Sequence, residues 1–136
     1  MLFYVLPHRG ILMIYKTKVF QSACKKLSIK DTVLITACEE MQAGLVDAHL
    51  GDALYKKRIA MPGQGKRGSY RTMIGAVLGD RYFFLYVFSK SDKSNVNAQE
   101  LEALKFLSRQ YLSFSQHAID KLVVVGELTK VEKDHE

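Results

Sequence analysis

The sequence predicts a small α+β domain, and three observations carry that prediction. The chain has 136 residues, one domain by length, and is 48% hydrophobic and 25% charged, enough apolar material to bury a core. Its hydrophobic spacing switches from period two at Met13–Val19 to helical spacing from Phe20 to Leu45. It returns to strand-like runs between Leu54 and Ser89, and to helical spacing after Asn97. Turn-forming residues separate these blocks. The resulting order is β-α-α-β-β-β-α-α, a sheet of about four strands with helices packed mainly on one face.

Each element has its own justification. In Met13–Val19, Ile14, Lys16 and Lys18 alternate with Tyr15, Thr17 and Val19, as in a half-buried strand. Phe20, Ala23, Cys24 and Leu27 fit a short helix. Asp31 is placed to N-cap a second helix, in which Leu34, Ala37, Cys38, Met41 and Leu45 share a face. Asp47–Asp52 (DAHLGD) reads as a polar loop. Leu54–Ala60 is a strand, MPGQGKRG a Pro/Gly-rich connection, and Ser69–Leu78 the next strand. Gly79-Asp80 makes a tight turn into Arg81–Ser89 (RYFFLYVFS), which is apolar on both faces and therefore central. Asn97 with Glu100 three residues on forms a capping-box pattern ahead of Leu101, Leu104, Lys105, Leu107 and Leu112. Ser115 caps a last helix through Ala118, Ile119 and Leu122 that stops near Gly126. The domain is expected over 13–128, with a charged tail over 129–136 that frays.

The first twelve residues (MLFYVLPHRGIL) read as an extension of uncertain origin, with Met13 an alternative initiator. They lack a cationic leader and a cleavage site, and are too short to span a bilayer, which needs ~20 apolar residues. Cys24 and Cys38 match no metal or redox spacing and read as reduced, buried thiols of a cytoplasmic protein.

The charge is concentrated. The net charge of +6 is contained within Ala53–Gly79, which holds six cations (Lys56, Lys57, Arg58, Lys66, Arg67, Arg71) and no acid, while the rest of the chain balances. Close like charges repel by roughly 1 kcal/mol or more per pair near a surface. A polyanion is the partner that relieves that repulsion, with RNA or DNA first. Against this stands an edge strand charged to block aggregation, which accounts for Lys57 but not for all six.

Other patterns fail on context. Gly63, Gly65 and Gly68 spell GxGxxG, but a strand follows rather than a helix, and no acid sits ~20 residues on to hold a ribose. Gly65-Lys66 is no P-loop, because Arg67 stands where a hydroxyl residue is needed. His8, His49, His117 and His135 are scattered, so neither a metal nor another cofactor is expected. His49 and the Lys105/Arg109 pair read as surface residues, and Tyr86 and Phe88 as core or as a platform for a base.

The run KKRIAMPGQGKRGSYR, the hydrophobic strand ending in FSK, and SDKSNVNAQELEALKFL after it resemble the RelE/HigB-like toxins of bacterial type II toxin–antitoxin systems, in the RelE/ParE superfamily. The resemblance covers Ile14 to about Leu128. It implies a twisted antiparallel sheet with two N-terminal helices and C-terminal helices, and an endoribonuclease that cuts mRNA in the ribosomal A site. Relatives of the same fold instead poison DNA gyrase. The family's basic cluster falls here on Lys56, Arg58 and Arg71, with Lys90 and Lys93 just past the last strand. A loop arginine of the family corresponds to Ser91 and its catalytic tyrosine to Asn97, which leaves a lysine-based mechanism.

Such a reaction uses the substrate's own 2′-OH, and fixed cations stabilise the charge gathering on the phosphoryl oxygens. Along a strand, Lys56 and Arg58 share a face and Lys57 points away. Crowded cations favour the neutral form of a lysine among them, which makes Lys56 the candidate base. Arg58 and Arg71 are the candidate phosphate clamp and Lys90 the candidate acid. Lys57, Lys66, Arg67 and Lys93 are candidate RNA-binding residues. The implied partners are the ribosome and mRNA, a cognate antitoxin of helix-turn-helix type, and operator DNA bound through that antitoxin; no membrane is implied. The alternatives are a non-catalytic nucleic-acid-binding module and a gyrase-directed toxin.

Overall fold

Thr17 ends the first strand and starts the first helix within one residue. Its Oγ1 accepts the Phe20 N–H at 3.2 Å, so β1 (Met13–Thr17) gives way at once to α1 (Lys18–Leu27). Val19 therefore belongs to the helix, although its alternation with Thr17 reads as strand. The computed structural model describes residues 12–61 and 65–132, the side chains of 61 and 65–67 excepted. The expected extension, all but Leu12, and residues 62–64 lie outside them.

α2 (Asp31–Gln42) corrects one assignment. Lys30, not Asp31, occupies the N-cap and supplies no side-chain bond. Asp31 is instead the first helical residue, and its Oδ1 lies 2.8 Å from Lys16 Nζ. That lysine is 5% exposed, so the carboxylate is needed where it is, offsetting a buried ammonium. The Asp47–Asp52 loop contains a two-residue strand, β2 (Ala48–His49), paired with β3 (Leu54–Met61). β4 runs from Gly65 to Val77, so the strand begins inside the expected connection. At the next turn Gly79 takes φ +84°, a conformation glycine adopts without steric cost, ahead of β5 (Arg81–Ser89).

The capping box at α3 (Ala98–Ser113) is complete: Asn97 accepts from the Glu100 N–H, and Glu100 accepts from the Asn97 N–H. Ser115 caps α4 (Gln116–Val124) in the same way, through the Ala118 N–H. The charged tail is where the sequence misleads most. Leu128–Val131 forms β6, antiparallel to β1, with Leu128 and Val131 buried. Only two apolar residues anchor it, and its charged neighbours hide the alternation.

The fold is a small α+β domain of four helices and a six-stranded, mostly antiparallel sheet among the described residues, in the order β2-β3-β4-β5-β1-β6. β1 lies parallel to β5, between β5 and β6. The helices do not collect on one face. One core packs α1 and α2 on Ile14, Ile59, Ile74, Tyr82 and Phe84. A second packs α3 and α4 on Tyr15, Leu54, Met73, Phe83 and Leu85. The two-sided apolarity of β5 was the signal for this, because a strand buried on both faces needs cover on both. No helix among the described residues is long and apolar enough to cross a membrane.

α3 crosses the sheet at closest approach over Gly75. A Cβ there would lie 2.7 Å from Ser108 Oγ and 3.1 Å from Ser108 Cα, while Ser108 Oγ donates to the Asp52 carbonyl at 2.8 Å. Gly75→Ala is expected to destabilise the protein by about 1–3 kcal/mol, the usual cost of overpacking. A urea denaturation midpoint that does not move would mean that α3 can lift without loss.

Candidate nucleic-acid interface

Sheet register decides which cations meet. Arg58 on β3 is directly opposite Arg71 on β4, and Arg71 is opposite Phe88 on β5. One row down, Lys56 is opposite Met73, and Met73 is opposite Tyr86. Directly opposed residues point to the same face, and Met73 belongs to the α3/α4 core. Register therefore directs Lys56, Arg58 and Arg71 to the α3 face, with cations on β3 and β4 and aromatic rings on β5, although Arg58, at the sheet edge, also lines a hollow beside α2 with Thr36 and Glu40. Phe88 is 4% exposed and belongs to the core, whereas Tyr86 is only half-buried.

Arg71 Nη1 donates to Ser69 Oγ at 2.6 Å, and Lys56 is half-buried. Among the described residues neither is held in an ion pair. Arg58 lies past the end of β2 on the open sheet edge, 59% exposed and loosely opposed by Asp47 (Nε–Oδ2 3.7 Å). Lys90 is exposed in the turn after β5, and no contact among the described residues fixes it against the other three.

Lys57 does not join this group. Alternation sends it to the α1/α2 face, where its side chain is 8% exposed and its ammonium lies 2.8 Å from Glu40 of α2. Its assignment as an RNA-binding residue is corrected accordingly: the charge is sequestered. The acid-free run is thus partly neutralised by Glu40 and Asp47, carboxylates from elsewhere in the chain. His49 stacks on Tyr55 (centroids 4.4 Å apart, 12° between planes) on that same opposite side. The side chains of Lys66 and Arg67 lie outside the described residues.

Lys93 is clamped. Its Nζ lies 2.9 and 2.7 Å from the two oxygens of Glu100 and 5.8 Å from the centre of the Tyr86 ring. The lysine beside it holds the Glu100 carboxyl below the ordinary glutamate range, with help from the Asn97 N–H, and Glu100 in turn raises Lys93. Glu100 is a residue that sequence reasoning credited only with capping; its ion pair spans seven residues and a turn, which no local pattern reveals. Asn97 is spent on starting α3. Ser91 bonds to Ser89 Oγ at 3.0 Å and steadies the turn. Burial pushes the Cys24 thiol up to about 11 and the Cys38 thiol higher still, so neither is a nucleophile at neutral pH. Among the described residues no group of three His, Cys, Asp or Glu is placed to hold a metal.

The family model for the RelE toxin of the RelE/RelB toxin–antitoxin system matches residues 12–131, nearly the whole described chain. The chain belongs to the RelE toxin family. A comparison with curated proteins found no match. Membership makes this RelE-family chain the toxin of a toxin–antitoxin system, with an antitoxin as its partner. The match runs to Val131, the last residue of β6.

Proposed function

We propose that this RelE-family toxin is a ribosome-dependent, metal-independent mRNA endoribonuclease acting in the cytoplasm. The observation that carries the reading is the direct opposition of Arg58 and Arg71, one row from Lys56, with no carboxylate among the described residues paired to Lys56 or Arg71. Three cations held on adjacent strands cost electrostatic energy that an RNA phosphate would recover.

The chemistry follows from the charges. The 2′-oxygen attacks the adjacent phosphorus, and its proton passes to Lys56 Nζ. Charge builds on the two non-bridging oxygens, where Arg71 and Arg58 present planar, forked donors. The bond from phosphorus to the 5′-oxygen breaks, and Lys90 returns a proton to the leaving oxygen. The products are a 2′,3′-cyclic phosphate and a 5′-hydroxyl. Arginine suits the clamp because its fork is rigid and its charge permanent, so electrostatic stabilisation needs little reorganisation. The antitoxin, read as a helix-turn-helix protein, would cover this face or block ribosome entry, and would carry the complex to its operator DNA.

The reading is tested by adding purified protein to a translation extract and mapping mRNA 5′-ends. Cuts spaced by codons within the translated frame, absent when initiation is blocked, are expected. RNA retention that falls steeply with salt and yields no product would replace the nuclease with a binding module.

A further inference from the structure

A β-bulge turns Tyr86 onto the cationic face. Met73 is opposite Tyr86 and Ile74 is opposite Phe84, so Leu85 is the extra residue in β5. Leu85 and Tyr86, though adjacent, both belong to the α3/α4 side, whereas strict alternation would have put Tyr86 with Phe84 and Tyr82 under α1 and α2. Bulges re-aim side chains and terminate pairing, often beside active sites. Here the bulge brings a half-buried aromatic ring into line with Lys56, two strands away and thus roughly 10 Å apart along the sheet.

Against that ring lies a hollow of about 160 Å³ lined by Tyr86, Glu100, Ala103 and Leu104. Drug-sized ligands occupy ~300 Å³ or more; this space is on the scale of one heterocyclic base. We propose that the hollow takes a single nucleobase of the RNA, stacked on Tyr86 and read at its amino group by Glu100. The inference rests on the ribonuclease reading and deepens it, since it assigns the base beside the phosphate that Lys56 and Arg71 face.

Glu100 defines the class of base. An ionised carboxylate has about four acceptor positions. Here the Asn97 N–H takes one on Oε1, and Lys93 Nζ reaches both oxygens. One position remains, on Oε2. An acceptor in that place favours adenine, cytosine or guanine, which carry an exocyclic amine, over uracil, which carries none. Lys93 keeps the carboxylate ionised and lies over the tyrosine ring, so the wall is set before RNA arrives.

The test has two arms. A short RNA carrying one 2-aminopurine is titrated with the protein, and stacking is read as fluorescence quenching; cut sites in the translation extract are mapped in parallel. Wild type and Tyr86→Phe should quench, while Tyr86→Ala and the hollow-filling Ala103→Leu should lose roughly tenfold or more in affinity. Ala103 is exposed, so its replacement leaves the core intact. Wild-type cuts should be depleted where uracil occupies one fixed position. Glu100→Gln, which still completes the capping box, should relax that depletion. Quenching and cutting that are the same in Tyr86→Ala, Ala103→Leu and wild type would overturn the base site. Quenching by wild type, lost in the variants, with no cutting by any of them, would overturn the ribonuclease reading and leave the base site standing.

Discussion

Arg71→Ala should slow mRNA cleavage by about 10²–10³-fold, the loss seen when one preorganised donor is removed from a developing oxyanion, and Lys56→Ala by about 10²–10⁴-fold, the usual worth of a positioned general base. Thermal stability should hardly change, because neither side chain is in an ion pair among the described residues and neither is fully buried. Arg71→Lys should recover only part of the rate. It keeps the charge but loses the forked geometry that spans two phosphoryl oxygens. The two single changes act on the same transition state, so the double variant should lose less than their product. Wild-type rates from both alanine variants, measured on the same ribosome complexes, would take the chemistry away from this face.

The largest effect on stability is expected on the opposite side of the sheet. Asp31→Ala strips the partner from Lys16, whose side chain on β1 is 6% exposed. Breaking a buried pair from one side costs ~3–5 kcal/mol, and the partial exposure of Asp31 places this case at the lower end. A loss of about 3 kcal/mol corresponds to a melting temperature lower by roughly 10 °C. Adding Lys16→Met to the Asp31→Ala chain should restore most of it, because a thioether of similar length needs no counter-charge. An Asp31→Ala protein that melts with wild type would show that the ammonium reaches water without its carboxylate.

These two effects separate what local pattern can reveal from what it cannot. The strand-helix alternation, the capping box at Asn97, the cap at Ser115 and the turn at Gly79 depend on residues within one turn or one pleat of each other, so they are legible in the chain. The sharing of a face by Lys56 and Arg58 is legible for the same reason. The opposition of Arg58 and Arg71 is not, since it depends on register across a connection whose length alone leaves it open. Both faces of β5 are apolar, and that fact alone called for helices on both sides. The expected one-sided packing did not follow the observation through.

The acid-free stretch gives the clearest case. Composition put six cations there and correctly located the chain's excess charge. It could not say that Glu40 would neutralise Lys57, that Asp47 would approach Arg58, or that Glu100 would clamp Lys93, because each carboxylate comes from another element. The bulge at Leu85 has the same character: nothing in RYFFLYVFS marks where the alternation slips, and the slip decides whether Tyr86 lies on the α3/α4 face with Lys56 or under α1 and α2. Sequence alone determined the class of fold and the site of the excess charge, since these depend on composition and short-range spacing, while the family came through resemblance and the family-model match. Tertiary structure alone decided which of those charges stay open to a partner, because only folding brings distant carboxylates into ion-pair range and sets the strand register.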